Sequence, residues 1–192
     1  MAQEPLQDLL KAVRSNDAAS AKALLGRGMD VDTADPSGNT LLMLAAREGH
    51  FDLAKFLLDV KAKVRARNGY GESAIMFAVL QGHLEVVKVL QAYGAEINHS
   101  GWTPLHYAAW GGHNDICSFL LENGAKIDAR SGNGTTPIMM AARQGIVETV
   151  KLLLANSADT KLSNDSGETA LSWAVKAGSL EAVELLQKAG AK

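Results

Sequence analysis

The chain has 192 residues, 47% of them hydrophobic and 21% charged, with a formal net charge of -2. That composition is ordinary for a folded globular protein. The near-neutral balance argues against a general nucleic-acid binder, which carries a basic excess, and gives no reason to expect a basic partner. A single cysteine, Cys117, excludes a disulfide framework and a thiolate metal site built by this chain alone, and leaves the redox compartment open. No apolar run approaches the roughly 18 residues that would cross a bilayer. Met1-Ala2-Gln3-Glu4-Pro5 has neither the charged nor the apolar region of a signal peptide. The expectation is therefore a cytoplasmic protein, or a periplasmic or secreted one if a leader has been removed ahead of Ala2-Gln3.

Glycine sets the period. Gly49, Gly82, Gly112, Gly145 and Gly178 are spaced by 33, 30, 33 and 33 residues. Gly38, Gly71, Gly101, Gly134 and Gly167 lead them by eleven with the same spacings. A third column reads Gly28, Lys61, Gly94, Gly124, Ser157 and Gly190. One three-residue deletion shared by every column marks an array of structural repeats rather than a bias of composition.

In chain order, residues 4–34 form a degenerate first unit, with Asn16 where the later units place Gly49; asparagine is the next-best left-handed residue. Residues 35–67 place Thr40-Leu41-Leu42-Met43 at the start of a first helix and Gly49-His50 at its end. Residues 68–97 repeat this with Ser73-Ala74-Ile75-Met76 and Gly82-His83, and close on Gly94-Ala95-Glu96-Ile97.

Residues 98–130 carry the fullest pattern, Thr103-Pro104-Leu105-His106-Tyr107-Ala108-Ala109. Thr103 is a sound N-cap and Pro104 fits the first helical position. Gly112 supplies the left-handed end. A second helix runs from Asp115 to Glu122, with Ile116, Phe119 and Leu120 on one face. Residues 131–163 and 164–192 repeat the unit with Thr136-Pro137-Ile138-Met139 and Thr169-Ala170-Leu171-Ser172. The turn between Ile97 and Thr103 is three residues short, so its finger is expected to be stubby or displaced. Lys61 and Ser157 stand at glycine positions, where a left-handed backbone costs about 1–2 kcal/mol.

Thr103-Pro104-Leu105-His106-Tyr107-Ala108-Ala109 followed by Gly112-His113 resembles the ankyrin repeat, as do Gly49-His50, Gly82-His83 and the endings Gly94 to Asn98 and Gly124 to Asp128. The resemblance covers nearly the whole chain. It implies an all-α ankyrin-repeat solenoid of stacked helix-turn-helix units with β-turn or hairpin fingers, one domain over 1–192. The units at 4–34 and 164–192 would act as its N- and C-terminal caps. By fold-level analogy it implies a stand-alone module that binds one or more partner proteins through a concave groove, as inhibitor, scaffold or stabiliser, and not an enzyme. Glu181, Glu184 and Lys188 give the last unit a polar outer face and favour a monomer.

The resemblance assigns two columns to the groove. One follows the turn glycine: Asn39, Glu72, Trp102, Thr135 and Glu168. The other lies two residues before the helix-ending glycine: Arg47, Leu80, Trp110, Arg143 and Lys176. Candidate partner-binding residues are Arg47, Tyr70, Leu80, Trp102, Trp110 and Arg143. Tyrosine and tryptophan bury large area at low entropy cost, and arginine takes carboxylates. The competing reading packs Trp110 between Leu80 and Arg143, with Arg143 stacked on its ring, and sets Trp102 in the gap of the short turn. Tyr107, Phe77 and Trp173 share a column read as packing between repeats.

No constellation supports catalysis, a cofactor or a metal. His50, His83 and His113 recur at one position, but stacked helices lie roughly 10 Å apart and one zinc ion cannot bond two of them. No nucleophile elbow and no phosphate loop appear. Lys61, Lys63, Arg65 and Arg67 alternate on an expected extended arm. They carry the alternative function, a small-ligand or anion or nucleic-acid binder, against the plainer reading of a solvated arm. Cys117 is expected to be partly buried and unreactive.

Overall fold

The computed structural model describes residues 3–191, so Met1-Ala2, on which the leader expectation rests, lie outside the described residues. The described residues form twelve helices in six pairs. Two units are distinguished, Met1–Glu96 and Ile97–Lys192. The first carries α1 (Gln3–Arg14), α2 (Ala18–Gly26), α3 (Leu41–Arg47), α4 (Phe51–Asp59), α5 (Ala74–Leu80) and α6 (Leu84–Ala92). The second carries α7 (Pro104–Gly111), α8 (Asn114–Glu122), α9 (Pro137–Gln144), α10 (Val147–Ala155), α11 (Ala170–Ala177) and α12 (Leu180–Lys188).

The first helices α3, α5, α7, α9 and α11 are started by one device. An extended Thr or Ser occupies the N-cap, and the side chain three residues on meets its backbone N–H. In α7 the acceptor is His106 Nδ1, 3.1 Å from Thr103 N. In α3, α5 and α9 it is the sulfur of Met43, Met76 and Met139, each at 3.4 Å. In α11 it is the hydroxyl of Ser172, at 3.0 Å. Methionine in this column is therefore both buried and a hydrogen-bond acceptor. Asn16, Lys61 and Ser157 adopt left-handed backbone at φ 57°, 73° and 66°, as the glycine columns require.

At Lys61 and Ser157 the strained φ costs more than the extra backbone entropy that glycine loses on folding. The variant Lys61→Gly/Ser157→Gly is therefore expected to gain about 1 kcal/mol. Thermal denaturation followed by circular dichroism would show it as a rise in midpoint.

Within each unit the first helices pack side by side, α1 on α3 on α5 and α7 on α9 on α11, and the second helices form a parallel layer, α4 on α6 and α8 on α10 on α12. Close approach is allowed by small residues: Ala45-Ala46 and Ala78-Val79 in the first unit, Ala108-Ala109 and Ala141-Ala142 in the second, all fully buried. Leu42, Ile75, Leu105 and Ile138 occupy the second position of their helices and are also fully buried. Each contributes about 1.5–3 kcal/mol.

Between units of the array, Asp35, Asn68, Ser131 and Asn164 open tight turns whose fourth residue is glycine, with Gly38, Gly71, Gly134 and Gly167 donating back to them at 2.8–3.0 Å. Their side chains also accept from the backbone N–H of the residue after that glycine: Asn39, Glu72, Thr135 and Glu168. The short turn of residues 98–103 lacks this base residue. Asn98 bonds instead to Gly124 O and Lys126 N.

The last repeat departs from the expected polar cap. Val175 is 60% exposed and Leu180 is 78% exposed. The positions matching Val175 in earlier repeats, Val79, Ala109 and Ala142, are fully buried. The last repeat therefore exposes these two apolar side chains as well as the charge at Glu181, Glu184 and Lys188.

Candidate partner-binding surface

The two columns assigned to the groove behave differently. The column after the turn glycine is not a uniform surface. Asn39 and Thr135 are buried, and Asn39 accepts a 2.8 Å bond from Asn68 Nδ2, which also donates to Glu72 at 2.9 Å. These residues tie one finger to the next. Glu168 is bound by Lys176 and Ser172, which hold its carboxyl below the ordinary carboxylate range.

The column at the end of each first helix does present large side chains. In the first unit, Arg47 closes α3 and bonds its neighbour Glu48 at 3.1 Å, while Leu80 ends α5 half-buried. Tyr70 stands on a finger tip, 80% exposed. In the second unit, Trp110, Arg143 and Lys176 occupy successive, packed helices α7, α9 and α11. Trp110 is 41% exposed. It makes no ring contact and no hydrogen bond to any described residue.

Arg143 does not stack on Trp110. Its guanidinium lies over Trp173, 5.2 Å from the ring centroid. Trp102 packs on Tyr107 and His106, with ring centroids 5.3 and 5.9 Å away. It is thus partly a structural residue. Of the six candidates, Trp110 and Arg143 are brought into one row of the second unit. Arg47 and Leu80 form the matching row of the first, and Tyr70 and Trp102 belong to the fingers.

The basic segment is not an extended arm. Residues 63–66 form a turn, with Ala66 N donating to Lys63 O at 3.0 Å. Three of its four cations have acceptors within the first unit. Lys63 pairs with Asp32 at 3.2 Å, Arg65 donates to Gly94 O at 2.8 Å, and Arg67 reaches Gly71 O and Glu96 at 2.7 and 3.1 Å. Alternating charge suggested a strand-like period, and the repeat's own turn overrode it.

The recurring histidines hold successive repeats together. His50 bonds Val13 O at 3.0 Å and His83 bonds Arg47 O at 3.1 Å. Among the described residues no group of three or more His, Cys, Asp or Glu is placed to hold a metal ion. Cys117 is fully buried, more than its sequence suggested. Burial, with a lesser effect of Asp115, pushes its thiol up to about 12, so it is not a nucleophile at neutral pH. No described helix is long and apolar enough to cross a membrane.

Stacked helix pairs with short fingers define a class of repeat proteins, and comparison with known families places the chain within it. The model "Ankyrin repeats (3 copies)" matches residues 9–100, 60–131 and 128–192; the chain belongs to the ankyrin-repeat family. It is similar in structure to the human ASB11 ankyrin repeat domain, with a TM-score of 0.89 and 27% identity over 96% of this chain and 84% of that one. It is 32% identical over 130 residues to Dauer abnormal formation protein 25 of Caenorhabditis elegans, covering 68% of this chain and 26% of that protein. It is 34% identical over 126 residues to Glycerophosphocholine phosphodiesterase GDE1 of Candida albicans, covering 62% of this chain and 11% of that protein. The chain thus spans a minor part of both curated relatives, and the activity in the second name belongs to that protein. Ankyrin repeats are in general protein–protein interaction modules, and the fold is typically a non-enzymatic scaffold.

Proposed function

We propose that the chain binds a partner protein through the face formed by the ends of its first helices and by its fingers. Trp110 carries this reading. It is a large aromatic side chain, 41% exposed and engaged in no ring contact or side-chain hydrogen bond with a described residue, in a column of chemically mixed residues. Such side chains anchor interfaces. In the first unit, taken by itself, Arg47 and Leu80 hold the corresponding column positions, and Tyr70 projects from a finger.

The test is an affinity measurement on partners captured from the source organism, comparing wild type with Trp110→Ala after circular dichroism shows that both fold. The expected result is a loss of about 2 kcal/mol in binding. Trp102 is unsuited to this test because it supports His106 and Tyr107. Unchanged affinity for every captured partner would remove Trp110 from the interface.

A further inference from the structure

Six of the chain's seven arginines are at positions 14, 27, 47, 65, 67 and 130, and the seventh is Arg143. Arg14, Arg47, Arg65, Arg67 and Arg130 each donate to an acceptor within the chain. The side chains of Arg27 and Arg143 donate no hydrogen bond to any described residue, and of these two Arg143 has an aromatic contact, its guanidinium carbon lying over the Trp173 ring. The ring contact engages none of the guanidinium's N–H donors in a hydrogen bond, and these match a carboxylate in bidentate geometry. The contact restricts the side chain's rotamers in the free protein, which lowers the cost of engaging a ligand.

Arg143, Trp173, Lys176 and Ala177 line one shallow hollow, and no acidic side chain lines it. The nearby Glu168 is occupied by Lys176 and Ser172, so it does not compete for Arg143 and it offsets the charge of Lys176. The hollow is left with one uncompensated positive charge. That matches a single carboxylate better than a phosphate dianion. Trp110 stands in the same column one repeat earlier and offers an apolar surface beside it.

We infer that Arg143 receives an aspartate or glutamate side chain of the partner protein, on an extended segment whose neighbouring apolar residue lies on Trp110. This rests on the partner-binding face proposed above, and adds to it the chemistry of what that face accepts. Arg143→Lys keeps the charge but loses the planar fork and the stack, so it separates this geometry from simple attraction.

The experiment is a selection from a random peptide library displayed on phage against the full chain. It is followed by calorimetry of the enriched peptides with wild type, Arg143→Gln, Arg143→Lys and Trp110→Ala. The expected result is a recurrent Asp or Glu beside an apolar residue, and about a tenfold or greater loss of affinity on Arg143→Gln. Arg143→Lys should recover little of it. Changing the peptide's acid to its amide should cost the same against wild type and little more against Arg143→Gln. Peptides weakened by Trp110→Ala but indifferent to Arg143→Gln would overturn the carboxylate inference and leave the partner-binding face standing. Peptides indifferent to both variants, peptides without an acidic residue, or tighter capture of phosphopeptides or nucleic acid would overturn it, and the first of these would also remove the face. Failure to enrich any peptide counts against it as well.

Discussion

His106→Ala is expected to destabilise the protein by about 3 kcal/mol, whereas His106→Met should cost only about 1 kcal/mol. His106 is 0% exposed and works at both ring nitrogens. Nδ1 accepts from Thr103 N at 3.1 Å and lies 2.9 Å from the Thr103 hydroxyl. Nε2 donates to Thr135 O at 2.9 Å, which fixes the neutral tautomer with its proton on Nε2. Alanine leaves the buried N-cap N–H of α7 without its acceptor, a cost of about 1–3 kcal/mol, and opens a hole where the ring was. Methionine refills the space and returns a sulfur to the N-cap N–H, as Met43, Met76 and Met139 already do. Only the bond to Thr135 O is lost. That carbonyl still accepts from Ser131 N at 2.9 Å, so it is not orphaned and the loss stays near 1 kcal/mol.

The same histidine sets a pH dependence. Burial lowers its pKa from the ordinary value of 6.5, because the charged ring would sit without water and Nδ1 would confront a donor. The unfolded chain therefore binds this proton more readily than the folded one. The stabilisation is complete above the ordinary histidine pKa and is lost as pH falls below it toward the folded value. Urea denaturation across that acid range should show a steeper loss for wild type than for His106→Met. Parallel losses would mean that His106 does not titrate with unfolding.

How much of this was readable beforehand depends on what each residue does. The period, the helix pairs and the glycine columns were legible because backbone conformation forces them: Asn16, Lys61 and Ser157 kept the left-handed φ even without glycine. The finger bases were not. Asp35, Asn68, Ser131 and Asn164 share only a side-chain oxygen in the right place, so no single residue type marks the column. Columns also locate a Cα without giving the direction of its side chain. Arg143 and Trp110 shared a column, but the indole that met Arg143 was Trp173, three positions earlier in the next repeat's pattern. The burial of Asn39 and Thr135 was hidden for the same reason.

Gly49→Ala is expected to cost about 2–3 kcal/mol, more than the same change at Gly178. Both glycines end a first helix in left-handed backbone, at φ 75° and 71°. A side chain there costs about 1–2 kcal/mol at either site. At Gly178 nothing lies within 4 Å of the added carbon, so the cost stops there. At Gly49 the added carbon would stand 2.7 Å from the His83 ring. That ring is fixed by its 3.1 Å bond to Arg47 O, and moving it aside sacrifices the bond, about 1 kcal/mol more. Gly145 is an intermediate control, since its nearest neighbour would be Ser179 Cβ at 3.4 Å, an ordinary contact. For a chain of this size the three variants should lower the melting midpoint by roughly 2–4 °C per kcal/mol, in the order Gly49 above Gly145 and Gly178. A double variant, Gly49→Ala with His83→Ala, removes the ring and should show less than the sum of its two single losses. Strict additivity would mean that the histidine ring does not constrain Gly49, and that left-handed φ alone explains the glycine column.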